Sequence, residues 1–199
     1  MADLIYITNA RLSFPALTEA KVSPLGGDPK FGGDLLLPKG SNDFAKFMGE
    51  VGKLATTKWK ENAQHVLSKM QAERKLRCYG DGAEKINAKT FKVYDGYDGM
   101  SYITTSSNED RPPMVMRADG STVENSMERQ QLARNMYGGC YVNAAVRVWP
   151  QDNQYGRAIR CELVAVQFAA EGEPFGEPAP DVTGMFGAVA QPEDKPAFM

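Results

Sequence analysis

The 199-residue chain, 42% apolar, is long enough for one domain with a buried core. It has no run near the roughly 18 consecutive apolar residues of a membrane helix and no basic leader before an apolar stretch, so it predicts a soluble, intracellular protein. The formal net charge of −2 hides a polarity: from Ala170 onward Glu171, Glu173, Glu177, Asp181, Glu193 and Asp194 face only Lys195, a net of −5, whereas residues 1–169 hold 22 bases against 19 acids, a net of +3.

The chain opens with a strand, Leu4 to Phe14, rich in β-branched and aromatic residues and stopped by Pro15. A loop from Thr18 to Lys30, punctuated by Pro24, Gly26, Gly27 and Pro29, leads to a second strand, Phe31 to Leu37, closed by Pro38. From Ser41 the period becomes helical. Phe44, Phe47, Val51, Leu54, Ala55, Trp59, Ala63, Val66 and Met70 form one stripe behind the capping residues Ser41, Asn42 and Asp43. Gly49, Gly52 and Thr56-Thr57 weaken the middle, so the stripe reads as one long helix or two. Its other face carries Lys46, Lys53, Lys58, Lys60, Lys69, Arg74 and Lys75, the pattern of a solvated helix face.

Leu76 to Tyr79 reads as a short strand entering a turn at Gly80 to Gly82, and residues 83–99 as an irregular segment holding Lys85, Lys89, Phe91, Lys92, Tyr94 and Tyr97. Ser101 to Ser106 is again a strand, and Glu124 to Asn135 a polar helix ending before Gly138-Gly139. From Cys140 to Trp149, Cys140, Val142, Ala144, Val146 and Val148 alternate strictly with Tyr141, Asn143, Ala145, Arg147 and Trp149. That pattern predicts one core face and one aromatic, cationic face. A turn over Pro150 to Gly156 precedes an apolar strand from Arg157 to Phe168.

Five or six strands with one sizeable helix, and no regular βαβ alternation, predict a mainly β protein of the α+β class. The expected architecture is an OB-fold: a five-stranded Greek-key barrel with an inserted helix, spanning residues 1–170, followed by a disordered acidic tail, residues 171–199.

Little points to catalysis. His65 is the only histidine, so any Ser-His-Asp or Cys-His arrangement would depend on it, and neither phosphate-cradling glycine motif occurs. Cys78, Cys140 and Cys161 lack metal-ligand spacing and read as reduced, partly buried thiols; no metal and no cofactor are expected. The scattered carboxylates Asp95, Asp98, Glu109 and Asp110 leave room for a metal-dependent nuclease as an alternative. What stands out is cations interleaved with aromatics, the pairing that takes phosphates and unstacked bases of single strands. The candidates are Lys89, Lys92, Tyr94, Tyr97 and Tyr102; Tyr141, Arg147 and Trp149; and Tyr155, Arg157 and Arg160. The strand-face pattern favours Tyr141 and Trp149 over Phe91.

Five landmarks appear in order: Ala10-Arg11-Leu12-Ser13-Phe14-Pro15, Gly26-Gly27-Asp28-Pro29-Lys30-Phe31, Arg111-Pro112, Gly139-Cys140-Tyr141-Val142-Asn143-Ala144, and Val166-Gln167-Phe168 followed by Gly172-Glu173-Pro174-Phe175. With them the chain resembles the phage-encoded single-stranded DNA-binding proteins first grouped as a domain of unknown function. The resemblance implies an OB-fold, sequence-independent coating of single-stranded DNA in phage replication or recombination in the cytoplasm of the infected host, and no catalysis. Single-stranded DNA-binding proteins in general often end in an acidic arm with an apolar tip. The tail residues Asp194, Pro196, Phe198 and Met199 are therefore the candidate contact for replication or recombination proteins, although Lys195 intrudes. A phage adaptor acting mainly through this tail is a further alternative.

Overall fold

The strand Tyr141–Asn153 (β6 in chain order) sets the pattern for the whole body. Val142, Ala144, Val146 and Val148 are buried, while Tyr141, Asn143, Ala145 and Arg147 stay half-buried and Trp149 is exposed. Alternating side chains make one face of each strand core and the other surface. The computed structural model describes residues 3–23 and 26–176. In it β6 lies within a sheet whose other strands are β1 (Ile5–Lys21), β2 (Lys30–Pro38), β3 (Tyr79–Asp81), β4 (Met100–Asn108), β5 (Met114–Met116) and β7 (Gly156–Ala170). The order across the sheet is β3-β4-β2-β1-β6-β7-β5, antiparallel except where β5 runs parallel to β7.

Counted along the chain, the five long strands are β1, β2, β4, β6 and β7, so their spatial order is third, second, first, fourth, fifth. The outer two of these come together: the Ser107 hydroxyl on β4 donates to the Leu163 carbonyl on β7 at 2.5 Å. This is the partly open Greek-key barrel of the OB type. Where five or six strands were expected there are seven among the described residues: the short strand expected at Leu76 to Tyr79 lies at Tyr79–Asp81 as β3, and the three-residue β5 is the addition. A three-residue strand beside the prolines of Arg111-Pro112-Pro113 carries too little alternation to be read from sequence.

Two prolines proved compatible with strands. β1 continues through Pro15 to Lys21, because the register against β2 shifts between Ser13 and Ala16; Pro15 falls in that bulge, where a missing N–H costs no ladder bond. Pro150 lies inside β6 but beyond Val146, the last residue that β1 reaches, so that side of β6 has no neighbour awaiting a donor. The β6–β7 hairpin is correspondingly longer than predicted, turning only between Asn153 and Gly156.

The apolar stripe forms two helices inserted between β2 and β4. They are α1 (Asn42–Trp59), capped by the Ser41 hydroxyl accepting from the Phe44 amide at 3.1 Å, and α2 (Ala63–Ala72). The break falls at Lys60, in a left-handed conformation at φ 48°, and not at Gly49 or Gly52. Phe47, Val51, Ala55, Trp59, Ala63, Val66 and Met70 seal one mouth of the barrel; each large side chain buried contributes about 1.5–3 kcal/mol. A third helix, α3 (Ser126–Arg134), lies between β5 and β6, capped by Asn125.

Gly32 shows how tightly β2 and β4 are joined. At φ 147°, a Cβ there would sit 2.1 Å from the Thr105 carbonyl oxygen, a backbone atom that cannot move without breaking the ladder. Gly32→Ala is therefore expected to lower the unfolding free energy by about 2–3 kcal/mol in urea denaturation.

Candidate nucleic-acid interface

Closure of β4 onto β7 leaves a groove of about 910 Å³ across the outer face of the seam. β4 lays Tyr102, Thr104 and Ser106 along its floor. The β1–β2 loop supplies Ser23 and Gly26, the start of β2 supplies Lys30, the turn after α2 supplies Arg74, Lys75 and Arg77, and the β6–β7 hairpin supplies Trp149, Gln151, Arg160 and Glu162. With Lys85 and Arg111, seven bases line the groove against the single acid Glu162. In an OB-fold these are the strand face and the two loops that bind oligonucleotides.

The bases divide by their partners. Arg77 is buried and fully committed: its guanidinium donates to the carbonyls of Met70 (3.0 Å) and Tyr79 (2.5 Å) and meets Glu84 at 2.8 Å. Lys85 is held at 2.8 Å from Asp34, 3.1 Å from the Thr104 hydroxyl and 4.3 Å from the centre of the Tyr102 ring. These two are scaffold. Lys30, Arg74 and Arg160 are fixed by neutral groups and keep their whole charge for a ligand. Lys30 donates to Asn108 at 2.7 Å, Arg74 to the Glu84 carbonyl, and Arg160 to the Lys75 carbonyl at 2.9 Å and to Gln151 at 3.1 Å. Trp149 stands opposite Arg160 across β6 and β7, on the outer face and 43% exposed. Trp59 fixes the hairpin from below, its indole N–H donating to Asp152 at 3.0 Å.

Of the predicted binding residues, the groove brings together Tyr102, Trp149 and Arg160. Tyr155, 78% exposed, and Arg157, 3.5 Å from Asp152, continue from it along the hairpin tip. Arg147 lies beside the groove, paired with Glu162 at 3.6 Å. Lys89 and Lys92 are exposed on a separate turn. Four tyrosines are placed otherwise than expected: Tyr102, although on the groove floor, is buried with Lys85 over its ring and stacks no base. Tyr97 is wholly buried, its hydroxyl donating to Asp34 at 2.6 Å, so its ring has no face to offer a base. Tyr94 packs edge-on against Phe14 with ring centres 4.9 Å apart, and Tyr141 lies under Arg11 at the far end of β6. Asp194, Pro196, Phe198 and Met199 lie outside the described residues. Lys30, Arg74, Lys75, Lys85 and Arg111 were not singled out as binding residues; in sequence they are ordinary loop and helix-face cations, and only the barrel's closure gathers them.

The cysteines are all buried, Cys78 and Cys161 beneath the groove, and burial raises the Cys140 thiol to about 11. His65 is exposed on α2. Among the described residues no three His, Cys, Asp or Glu side chains gather to hold a metal ion.

The family described as Enterobacter phage Enc34, ssDNA-binding protein, matches residues 4–195. The chain belongs to this family. A solved structure of the single-stranded DNA-binding protein from bacteriophage Enc34 in complex with ssDNA is 25% identical and superposes with a TM-score of 0.66 over 87% of this chain and 89% of that one. The bacteriophage T7 protein gp2.5, a single-stranded DNA-binding protein, shares the fold at 12% identity, with a TM-score of 0.53 over 96% of this chain and 100% of its own. A putative protein p50 of Acyrthosiphon pisum secondary endosymbiont phage 1 is 28% identical over 173 residues, 86% of this chain and 85% of the relative.

Of the five landmarks that carried the family resemblance, two supply the groove residues Gly26, Lys30 and Arg111, while the first, fourth and fifth converge on a separate clasp. The Arg11 guanidinium lies 5.6 Å from the Tyr141 ring centre and 4.4 Å from that of Phe175, and it donates to the carbonyls of Glu173 (2.6 Å) and Gly139 (3.3 Å). Gly139, at φ 111°, leaves no room for a Cβ, which would stand 2.2 Å from the Glu173 oxygen. Residues 171–176, placed by the sequence at the head of the tail, are thus strapped to the body, and the Phe175 amide donates to the Gly138 carbonyl at 2.9 Å.

On the groove floor the Tyr102 hydroxyl is buried and has no hydrogen-bond partner. Burial raises its pKa to about 12 and pushes that of Tyr97 higher still, with the Asp34 charge adding to the latter. Both favour the neutral phenol in the folded state. Their contribution to stability is complete below the ordinary tyrosine value of about 10 and is lost as pH rises through the folded pKa. Tyr102→Phe removes an unsatisfied donor. Urea denaturation at neutral pH is expected to show unchanged or slightly higher stability, by up to about 1 kcal/mol, with a shallower alkaline decline.

Proposed function

We propose that this chain coats single-stranded DNA during phage replication or recombination, without sequence preference, in the cytoplasm of the infected cell. The groove carries the reading: a cationic channel on the OB strand face, with an exposed indole on its rim. Lys30, Arg74, Lys75 and Arg160 take phosphates, while Trp149, and Tyr155 beyond it, offer ring faces on which any base can lie. Nothing in such a surface reads base edges, so affinity comes from backbone charge and stacking. The Enc34 relative solved in complex with ssDNA supports this reading. The chain is a binding protein and not an enzyme; Glu162, the one acid on the groove, is neutralised by Arg147 at 3.6 Å. We assign residues 1–170 with their clasp to DNA binding, and the acidic arm, through Asp194, Pro196, Phe198 and Met199, to contacts with replication or recombination proteins.

Titrating a fluorescent oligo-dT tests the proposal. Three bases free of acidic partners predict a log–log salt slope of at least about −2, and Trp149→Ala should weaken binding about 5- to 100-fold with the fold intact. Absence of oligo-dT binding, or an affinity indifferent to salt, would refute it.

A further inference from the structure

Residues 85–94 form a small antiparallel arm. The Tyr94 amide donates to the Lys85 carbonyl at 3.0 Å, the Asn87 amide to the Lys92 carbonyl at 2.8 Å, and Ile86 bridges to Val93. The arm's foot is in the groove, since Lys85 lines it, and Tyr94 buttresses the foot against Phe14. Its tip is ordered by one side chain: the Asn87 carboxamide oxygen accepts from the amides of Lys89 (2.8 Å) and Thr90 (3.3 Å), while the Asn87 carbonyl accepts from the Phe91 amide at 2.8 Å.

That turn holds Phe91 at φ 55°, in the left-handed region that a bulky side chain normally avoids. A glycine or asparagine would take the position at lower cost. The ring gains no burial in exchange: it is 83% exposed, the highest value among the exposed large apolar side chains of the described residues. Folding alone thus accounts for neither the conformation nor the exposure of Phe91, and a bound partner accounts for both. The arm's composition names the partner's chemistry. Residues 85–94 contain Lys85, Lys89 and Lys92 and no acid, so the ring stands between two cations with no carboxylate on the arm. This alternation suits a nucleotide strand better than a protein surface. Four residues of extended chain carry the tip at most about 13 Å from Lys85, so a strand leaving the groove reaches it without a break.

Resting on the reading of the groove as a single-strand channel, we propose that the arm is a second contact on the same strand. Phe91 stacks on a base beyond the groove, and Lys89 and Lys92 take the flanking phosphates. The arm lengthens the footprint and leaves the groove's own binding unchanged.

Full-length protein titrated with dT oligonucleotides of increasing length tests this. Phe91→Ala should match the parent on the shortest oligonucleotides that saturate the groove and lose about fivefold or more once the strand reaches the arm. That loss should disappear when the outlying positions are abasic. Lys89→Ala with Lys92→Ala should reduce the salt slope by about 1.4 on long strands only. Phe91→Trp should be quenched more than the parent by long strands and to the same extent as the parent, through Trp149, by short ones. Equal affinity of parent and Phe91→Ala at every length, while Trp149→Ala is impaired, overturns the arm and leaves the groove standing. Insensitivity of both variants removes the groove reading as well. A changed oligomeric mass for Phe91→Ala at unchanged DNA affinity makes the ring a protein contact and overturns the proposal.

Discussion

β1 pairs with β2 along one edge and with β6 along the other, and it serves both because it bends. Two non-glycine residues stand at positive φ, Asn9 at 52° and Phe14 at 48°, each inside a register shift: Ile7 to Ala10 against β6, and Ser13 to Ala16 against β2. Such bulges increase the local twist and bend a strand. The first is stabilised by Asn143, whose carboxamide oxygen accepts from the Asn9 amide at 3.0 Å. Without that curvature β4 and β7 would be opposite edges of an open sheet. With it, Ser107 meets Leu163, the seam closes, and the basic residues of three separate segments share one groove.

The molecule separates charges used for folding from charges left for a ligand. Buried Arg77 and half-buried Lys85 are matched to Glu84 and Asp34, because a charge taken from water without a partner is costly. Lys30, Arg74 and Arg160 are positioned by carbonyls and carboxamides, which orient a cation without cancelling it. The Arg11 clasp belongs to the first kind. Its stacked rings and carbonyl acceptors fix the chain after β7, and through the Gly176 amide, which donates to Asp95 at 3.1 Å, they tie that chain to the loop behind the arm.

What was legible in the sequence follows from periodicity. The alternation in β6 correctly separated Trp149 from Val148, and the helical stripe gave every buried residue of α1 and α2. Aromatics in the irregular segment 83–99 offered no period, so burial could not be assigned. Tyr97 looked like a surface residue and is core, while Phe91 was ranked low and is the most exposed of them. Tyr141 has the right strand face but the wrong end of the strand, since its position over the clasp depends on Arg11, 130 residues earlier in the chain. Arg160 was legible with its hairpin, but the groove's other cations were unreadable for the same reason: Lys30, Arg74 and Lys75 come from segments that only the curled sheet brings beside it.

The central claim, that single-stranded DNA lies across the β4–β7 seam, is tested most directly by amide hydrogen exchange with and without excess oligo-dT. The account predicts slowed exchange in β4, in residues 74–78 and in the hairpin from Trp149 to Arg160, with the start of β1 and the first turns of α1 unchanged. Slowed exchange confined to β1 and α1, with the seam unaffected, would contradict it.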